Sequence, residues 1–159
     1  MVFLLMTPAI DQLTSLAVPH KVHQYTHDPA AISYGKEAAE KLAVVARRVF
    51  KTLVVDAGNN TLAVAVLPVD QQLNLKLMAK AMGVKKISMA NMAAVRRSTG
   101  YILGEVSPMG QKRALTTVID DTAGSYESIY VSGGHRGLEI ELRASDLAMV
   151  THGLLAVIT

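Results

Sequence analysis

Two spacings of apolar residues alternate along this chain, one helical and one extended. Ile10, Leu13 and Leu16 recur at helical intervals, so residues 7–16 read as a helix with Thr7 as cap and Pro8 in its first turn. Val18-Pro19 ends it, and residues 21–26 read as a strand closed by the turn His27-Asp28-Pro29. Residues 33–42 form a second predicted helix, capped by Ser33, with Lys36, Glu37, Glu40 and Lys41 on its solvated side. Two β-rich runs, 50–55 and 61–67, flank Ala57-Gly58-Asn59-Asn60, a hairpin signal. A third helix covers 71–82 and stops at Gly83. A short strand at 86–89 and a helix capped by Asn91 and running to Arg97 come next. Strands at 116–119, 128–131 and 138–142, a turn at Gly133-Gly134-His135-Arg136-Gly137, and a last helix from Ser145 complete the pattern, and Gly153 releases the chain into 154–158. Short connections between strands favour an α+β fold with a mixed sheet over a doubly wound parallel one.

At 159 residues the chain suits a single domain with a real core. Met6-Thr7-Pro8-Ala9 has the form of a natural helix start, so residues 1–5 read as an extra leader before a domain of residues 6–159. Aromatics are few and Trp is absent, so aliphatic side chains and 8 Met must fill the interior. The absence of cysteine excludes disulfides, thiolate metal sites and a Cys nucleophile, and fits a cytoplasmic setting. No apolar run approaches the ~20 residues of a membrane helix, so no membrane partner is expected. A net charge of +3 permits an anionic partner. It lacks the basic face or arm of an extended DNA-binding surface, so DNA is not expected either.

The chemistry concentrates in residues 97–112, Arg-Ser-Thr-Gly-Tyr-Ile-Leu-Gly-Glu-Val-Ser-Pro-Met-Gly-Gln-Lys. Three glycines and a Ser-Pro step between basic ends suggest a shaped loop whose main chain meets an anionic ligand. Lys51 opens an apolar strand and shares a face with Leu53 and Val55, which reads either as snorkelling at a sheet edge or as a half-buried cation in a pocket. Ser132 and Gly133 end another β run, suiting a pocket rim or a plain turn. Tyr25 and Tyr101 could stack on a base or pack in the core. The histidines lack ligand spacing, so no metal is expected, and Asp120-Asp121 reads as a turn. Phosphate-loop, dinucleotide and nucleophile-elbow motifs are missing, and no cofactor is expected.

Three separated motifs, Phe50-Lys51-Thr52-Leu53, the 97–112 loop and the run from Ile129 to Leu142, resemble the YbaK family in the family's order. These are free-standing Cys-tRNA(Pro) deacylases, related to the editing domain of bacterial prolyl-tRNA synthetase. The resemblance implies a curved mixed β-sheet surrounded by helices, and hydrolysis of a wrongly attached amino acid. It implies the acceptor end of aminoacylated tRNA(Pro) as substrate and prolyl-tRNA synthetase as a further partner. By the same resemblance Lys51 and Gly104 are the catalytic positions. Lys51 would lie near the terminal adenosine phosphate and the ester, and the main chain of Gly104 against the ester carbonyl. Tyr25, Thr52, Ser132, Gly133 and Glu139 would be substrate-binding.

In that family the thiol of the cysteine substrate is held to attack its own ester, which would explain a site without a protein nucleophile. The Gly133-Gly134-His135-Arg136-Gly137 run stands where alanine-specific relatives carry another signature, favouring cysteine. Two positions depart from the pattern: Glu105 stands where relatives have a second glycine, and Glu139 where they have Asp. These motivate the alternatives, a weakly catalytic or non-catalytic tRNA- or synthetase-binding module and an Ala-tRNA(Pro) deacylase.

Overall fold

The alternating apolar runs join into one mixed sheet of 8 strands in the computed structural model, which describes residues 6–159. The expected leader lies outside the described residues. The elements in chain order are α1 (Pro8–Ser15), β1 (Lys21–Gln24), α2 (Tyr34–Lys41), β2 (Val49–Asp56), β3 (Leu62–Pro68), α3 (Leu75–Met82), β4 (Ser88–Met89), α4 (Met92–Thr99), β5 (Thr116–Asp120), β6 (Ile129–Ser132), β7 (Leu138–Leu142), α5 (Ala144–Thr151) and β8 (Leu154–Ala156). The strands lie in the order β1-β7-β6-β2-β3-β5-β8, and β4 adds to β2. The β2–β3 hairpin is antiparallel, while β6 and β5 run parallel to its two strands. The expected α+β fold with a mixed sheet is therefore what forms.

Caps decide several helix boundaries. The Thr7 hydroxyl accepts from the Ile10 amide, and Ser33 caps α2 in the same way. The third helix begins at Leu75 rather than at 71, because Asn74 caps it and donates its own N–H to the Ile158 carbonyl at 2.7 Å. Gly83 and Gly100 end α3 and α4 in the left-handed conformation. Leu16 does not join the buried face of α1, since the helix ends one residue earlier and Ala9, Ile10 and Leu13 fill that role. Asp120 is fully buried and accepts the Ile158 amide at 3.1 Å, tying down the end of the chain.

Strand alternation sorts the core into layers. Phe50, Val64, Val66, Val131, Leu138 and Ile140 pack with α1 and α5 on one face. Val55, Ala63, Ala65 and Leu67 pack with α3, and Val49, Val69 and Tyr130 with α2, on the other. Lys51 is paired with Leu67 and so belongs to this second face.

The sheet is split at the middle of β2. β6 pairs with β2 only at Val49 and Phe50, and β4 only at Val55 and Asp56. Val49 accepts from the Val69 amide and Val54 from the Ala90 amide, so odd residues of β2 turn their main chain to β3 and even residues turn theirs away. The amide and carbonyl of Thr52 therefore face the gap. This explains why Lys51, Thr52 and Leu53 are half-buried while Val49, Phe50, Val54 and Val55 are buried.

Candidate active site

A cavity of about 320 Å³ opens at this split. Its wall includes Tyr25 from the end of β1, Tyr34 and Gly35 from α2, the 49–54 stretch of β2, Leu103 to Val106 from the glycine loop, and Ser132, His135, Arg136, Gly137 and Glu139 from β6, β7 and their turn. Of the residues expected in the site, Lys51, Gly104, Tyr25, Thr52, Ser132 and Glu139 meet here.

The sheet registers account for much of that convergence. Ser132 is paired with Glu139 and Glu139 with His23, which places all three on one face of three neighbouring strands. Lys51 lies on the same face of β2. Gly133 points elsewhere: its N–H bonds the Leu138 carbonyl at 2.8 Å, and its carbonyl accepts the Thr7 hydroxyl at 2.6 Å. It joins α1 to the β6–β7 turn behind the cavity. Thr52 contributes main chain to the gap, while alternation puts its hydroxyl on the opposite face, buried and without a hydrogen bond.

The glycine loop is held from beneath. The Tyr101 hydroxyl donates to the Met109 carbonyl at 2.7 Å. Its ring is buried with Val54, Val95 and Val106, and burial pushes its pKa up to about 12. Of the two readings for this tyrosine the core one holds. Gly104 has φ +89°, and a Cβ there would come within 2.7 Å of the Tyr34 ring. Loop main chain and aromatic ring are thus in direct contact, which a side chain at 104 would prevent. Ser132 joins the loop to the β6 end: its hydroxyl donates to the Glu105 carbonyl at 3.4 Å and accepts the Gly134 amide at 3.0 Å.

Charges in the wall are unevenly matched. Burial lowers the pKa of the Lys51 ammonium; Lys36 lowers it further, and Asp70 partly opposes both. Glu139 is buried with no partner for Oε2, and burial raises its pKa to about 8. Tyr25 is pushed up to about 12 by burial and by the nearby Glu139 and Glu37. Glu105 does not face solvent as a free carboxylate. Its Oε1 lies 3.2 Å from Nε of Arg136, whose guanidinium sits 4.3 Å from the centre of the Tyr34 ring.

Glu37 corrects the expected solvated side of α2. It is buried, accepting from His27 Nδ1 at 2.7 Å and from the Asp28 amide at 2.7 Å. Burial alone would raise its pKa, but these bonds hold it below the usual value. The latch fixes the loop before α2, and His27 meets Tyr34 edge-on at 5.4 Å. His23 likewise finds Glu141 at 2.9 Å. His23 thus reaches a carboxylate distant in sequence, and His27 one on the following helix. No group of metal-ligating side chains occurs among the described residues.

Tyr34 and Arg136 were not legible as site residues. Arg136 sits in a run that reads as a turn and as part of the family motif with no role for the arginine itself, and Tyr34 follows a helix cap. The available signal for Tyr34 was a glycine loop whose close approach needs a flat partner.

The Glu139 environment has a measurable consequence. With a folded pKa near 8 against an ordinary 4.5, the native state binds the proton more tightly than the unfolded chain. The native state therefore loses stability relative to the unfolded chain as pH rises from about 4.5 to about 8. Thermal melts of wild type and Glu139→Gln across this range should diverge, with the variant gaining on the wild type toward the alkaline end. Parallel profiles would show that the carboxyl is not buried uncharged.

Residues 28–149 match the family model described as the aminoacyl-tRNA editing domain. The chain belongs to this family. It is 37% identical over 153 residues, covering 96% of this chain and 93% of the other, to EbsC of Enterococcus faecalis, a protein assigned as a Cys-tRNA(Pro)/Cys-tRNA(Cys) deacylase. A crystal structure assigned as a trans-editing enzyme for prolyl-tRNA synthetase superposes with a TM-score of 0.78 at 23% identity, over 88% of this chain and 86% of that one. Another crystal structure, of a protein without an assigned function, superposes at 0.85 and 23% identity over 96% of this chain and 99% of that one. At such identities the two structures speak for the fold.

Proposed function

We propose that this chain is a trans-editing hydrolase that clears cysteine from mischarged tRNA(Pro). The observation that carries this reading is a half-buried lysine beside an open strand edge and a glycine loop, around a cavity lacking an activated protein nucleophile. The Ser132 hydroxyl is engaged with two main-chain groups, and neither of these bonds goes to a histidine or carboxylate side chain that could activate it. An aminoacyl ester is already reactive, so placement and charge stabilisation suffice for its cleavage. Lys51 would stabilise the negative charge that develops on the ester carbonyl oxygen, with the main chain at Gly104 shaping that end of the cavity. Entry of the substrate's α-ammonium beside Tyr25 would draw the proton off Glu139 and pair with the carboxylate so formed.

Cleavage then begins with the substrate's own thiol. Its sulfur bonds the carbonyl carbon, the ribose oxygen leaves with the thiol proton, and water opens the resulting cyclic thioester to free cysteine. Prolyl-tRNA synthetase, the source of such mischarged tRNA, is the fitting partner, and the cytoplasm the fitting location.

Methylating the substrate thiol tests this chemistry. S-methylcysteinyl-tRNA(Pro) and alanyl-tRNA(Pro), which lack a free thiol, should both survive at the spontaneous rate while cysteinyl-tRNA(Pro) is cleaved. Equal cleavage of the methylated ester would overturn the thiol's role. Tight binding of cysteinyl-tRNA(Pro) without turnover would favour a non-catalytic module instead.

A further inference from the structure

Glu105 and Arg136 meet at the cavity wall, and their arrangement is unusual for a site that receives RNA. A carboxylate here opposes an anionic substrate, yet it is largely covered: the Glu105 side chain is 12% exposed and that of Arg136 37%. The guanidinium is stacked on Tyr34, the ring that also lies against Gly104. Its Nε lies 3.2 Å from Glu105 without an aligned hydrogen bond. An arginine fork matches a phosphate in two parallel bonds, so the present pairing uses little of what this side chain can offer. Both residues sit on segments fastened to each other through Ser132, which holds them side by side at the cavity wall.

We propose that Arg136 is a phosphate-binding residue for the RNA end of the substrate, and that Glu105 is a built-in competitor that occupies it while the cavity is empty. On entry, a backbone phosphate displaces the Glu105 carboxylate from the guanidinium, and Tyr34 keeps the guanidinium plane in place throughout. The pair thereby weakens binding of any RNA terminus that cannot supply a phosphate at this point. This inference rests on the editing function proposed above.

The test uses steady-state cleavage of cysteinyl-tRNA(Pro) by the full chain. Glu105→Gln keeps the shape and removes the competing charge, so KM should fall roughly three- to tenfold with kcat little changed. Arg136→Ala should raise KM, and its log–log salt slope should be shallower by about 0.7, the share of one phosphate contact on a single strand. In the double variant the benefit of Glu105→Gln should vanish, because the two residues act through one contact. Arg136→Lys, which keeps charge but loses the fork, should fall between wild type and Arg136→Ala.

A KM that rises or stays constant in Glu105→Gln, or effects that simply add in the double variant, would overturn the proposal. A wild-type chain that leaves cysteinyl-tRNA(Pro) uncleaved would instead overturn the editing reading. The binding proposal is then judged from the affinity of uncharged tRNA(Pro) for the same variants, with the same predicted order.

Discussion

Replacing Lys51 with alanine is expected to lower kcat/KM for ester cleavage by about 10²- to 10³-fold, the range seen when one preorganised charge or donor is removed from a developing oxyanion. The prediction follows from where the ammonium lies. It is on the cavity face of β2, at the stretch where neither β6 nor β4 covers the strand, and burial already disfavours its charge. A cation held at this cost is most useful where a negative charge appears. Lys51→Met keeps an unbranched aliphatic stem on the same face of β2 and should lose activity to the same extent. Lys51→Met should not lower the melting temperature, since it removes a charge that burial already disfavours. A folded Lys51→Ala variant with full activity would remove the lysine from the mechanism.

Gly110→Ala should cause the largest loss of stability. Gly110 has φ +67°, and a Cβ there would lie 2.3 Å from the Pro8 carbonyl carbon and 2.5 Å from the Ala9 nitrogen. These are main-chain atoms of α1, so the conflict cannot be relieved by a rotamer change. The Gly110 amide also donates to Gln12 Oε1 at 2.7 Å, so the loop and helix are joined at this point. Left-handed strain and overpacking together should cost about 3 kcal/mol or more. For a chain of this size that lowers the melting temperature by roughly 10 °C. Thermal unfolding of Gly110→Ala within a degree of wild type would show that α1 does not dock on the glycine loop in this way.

The sequence carried the fold well because its signals were local. Alternation on 50–55 and 61–67 and the turn between them define β2 and β3, and Thr7, Ser33 and Asn91 are caps with their own hydrogen-bond logic. Lys51, Ser132 and Tyr25 stand out as pocket candidates in the residues themselves, Gly104 and Glu139 through motif resemblance, and all five line one cavity. What escaped depends on long-range placement. Glu37 follows the pattern of a solvated helix face, but the chain entering α2 folds over it and His27 satisfies it. Tyr34 and Arg136 belong to the site only because the glycine loop crosses to α2 and the β6–β7 turn. The gap in β2 is equally invisible along the chain, since it is made by where β6 stops and β4 starts. Glu105 could be seen as a carboxylate beside an anionic substrate, but its guanidinium partner could not.

The most direct test of the account is the rate at which the wild-type protein, at concentrations far below substrate, releases cysteine from cysteinyl-tRNA(Pro), with prolyl-tRNA(Pro) as the control. Repeated turnover of the cysteinyl ester with the prolyl ester left intact is the predicted result. Loss of cysteine no faster than in buffer alone would contradict it.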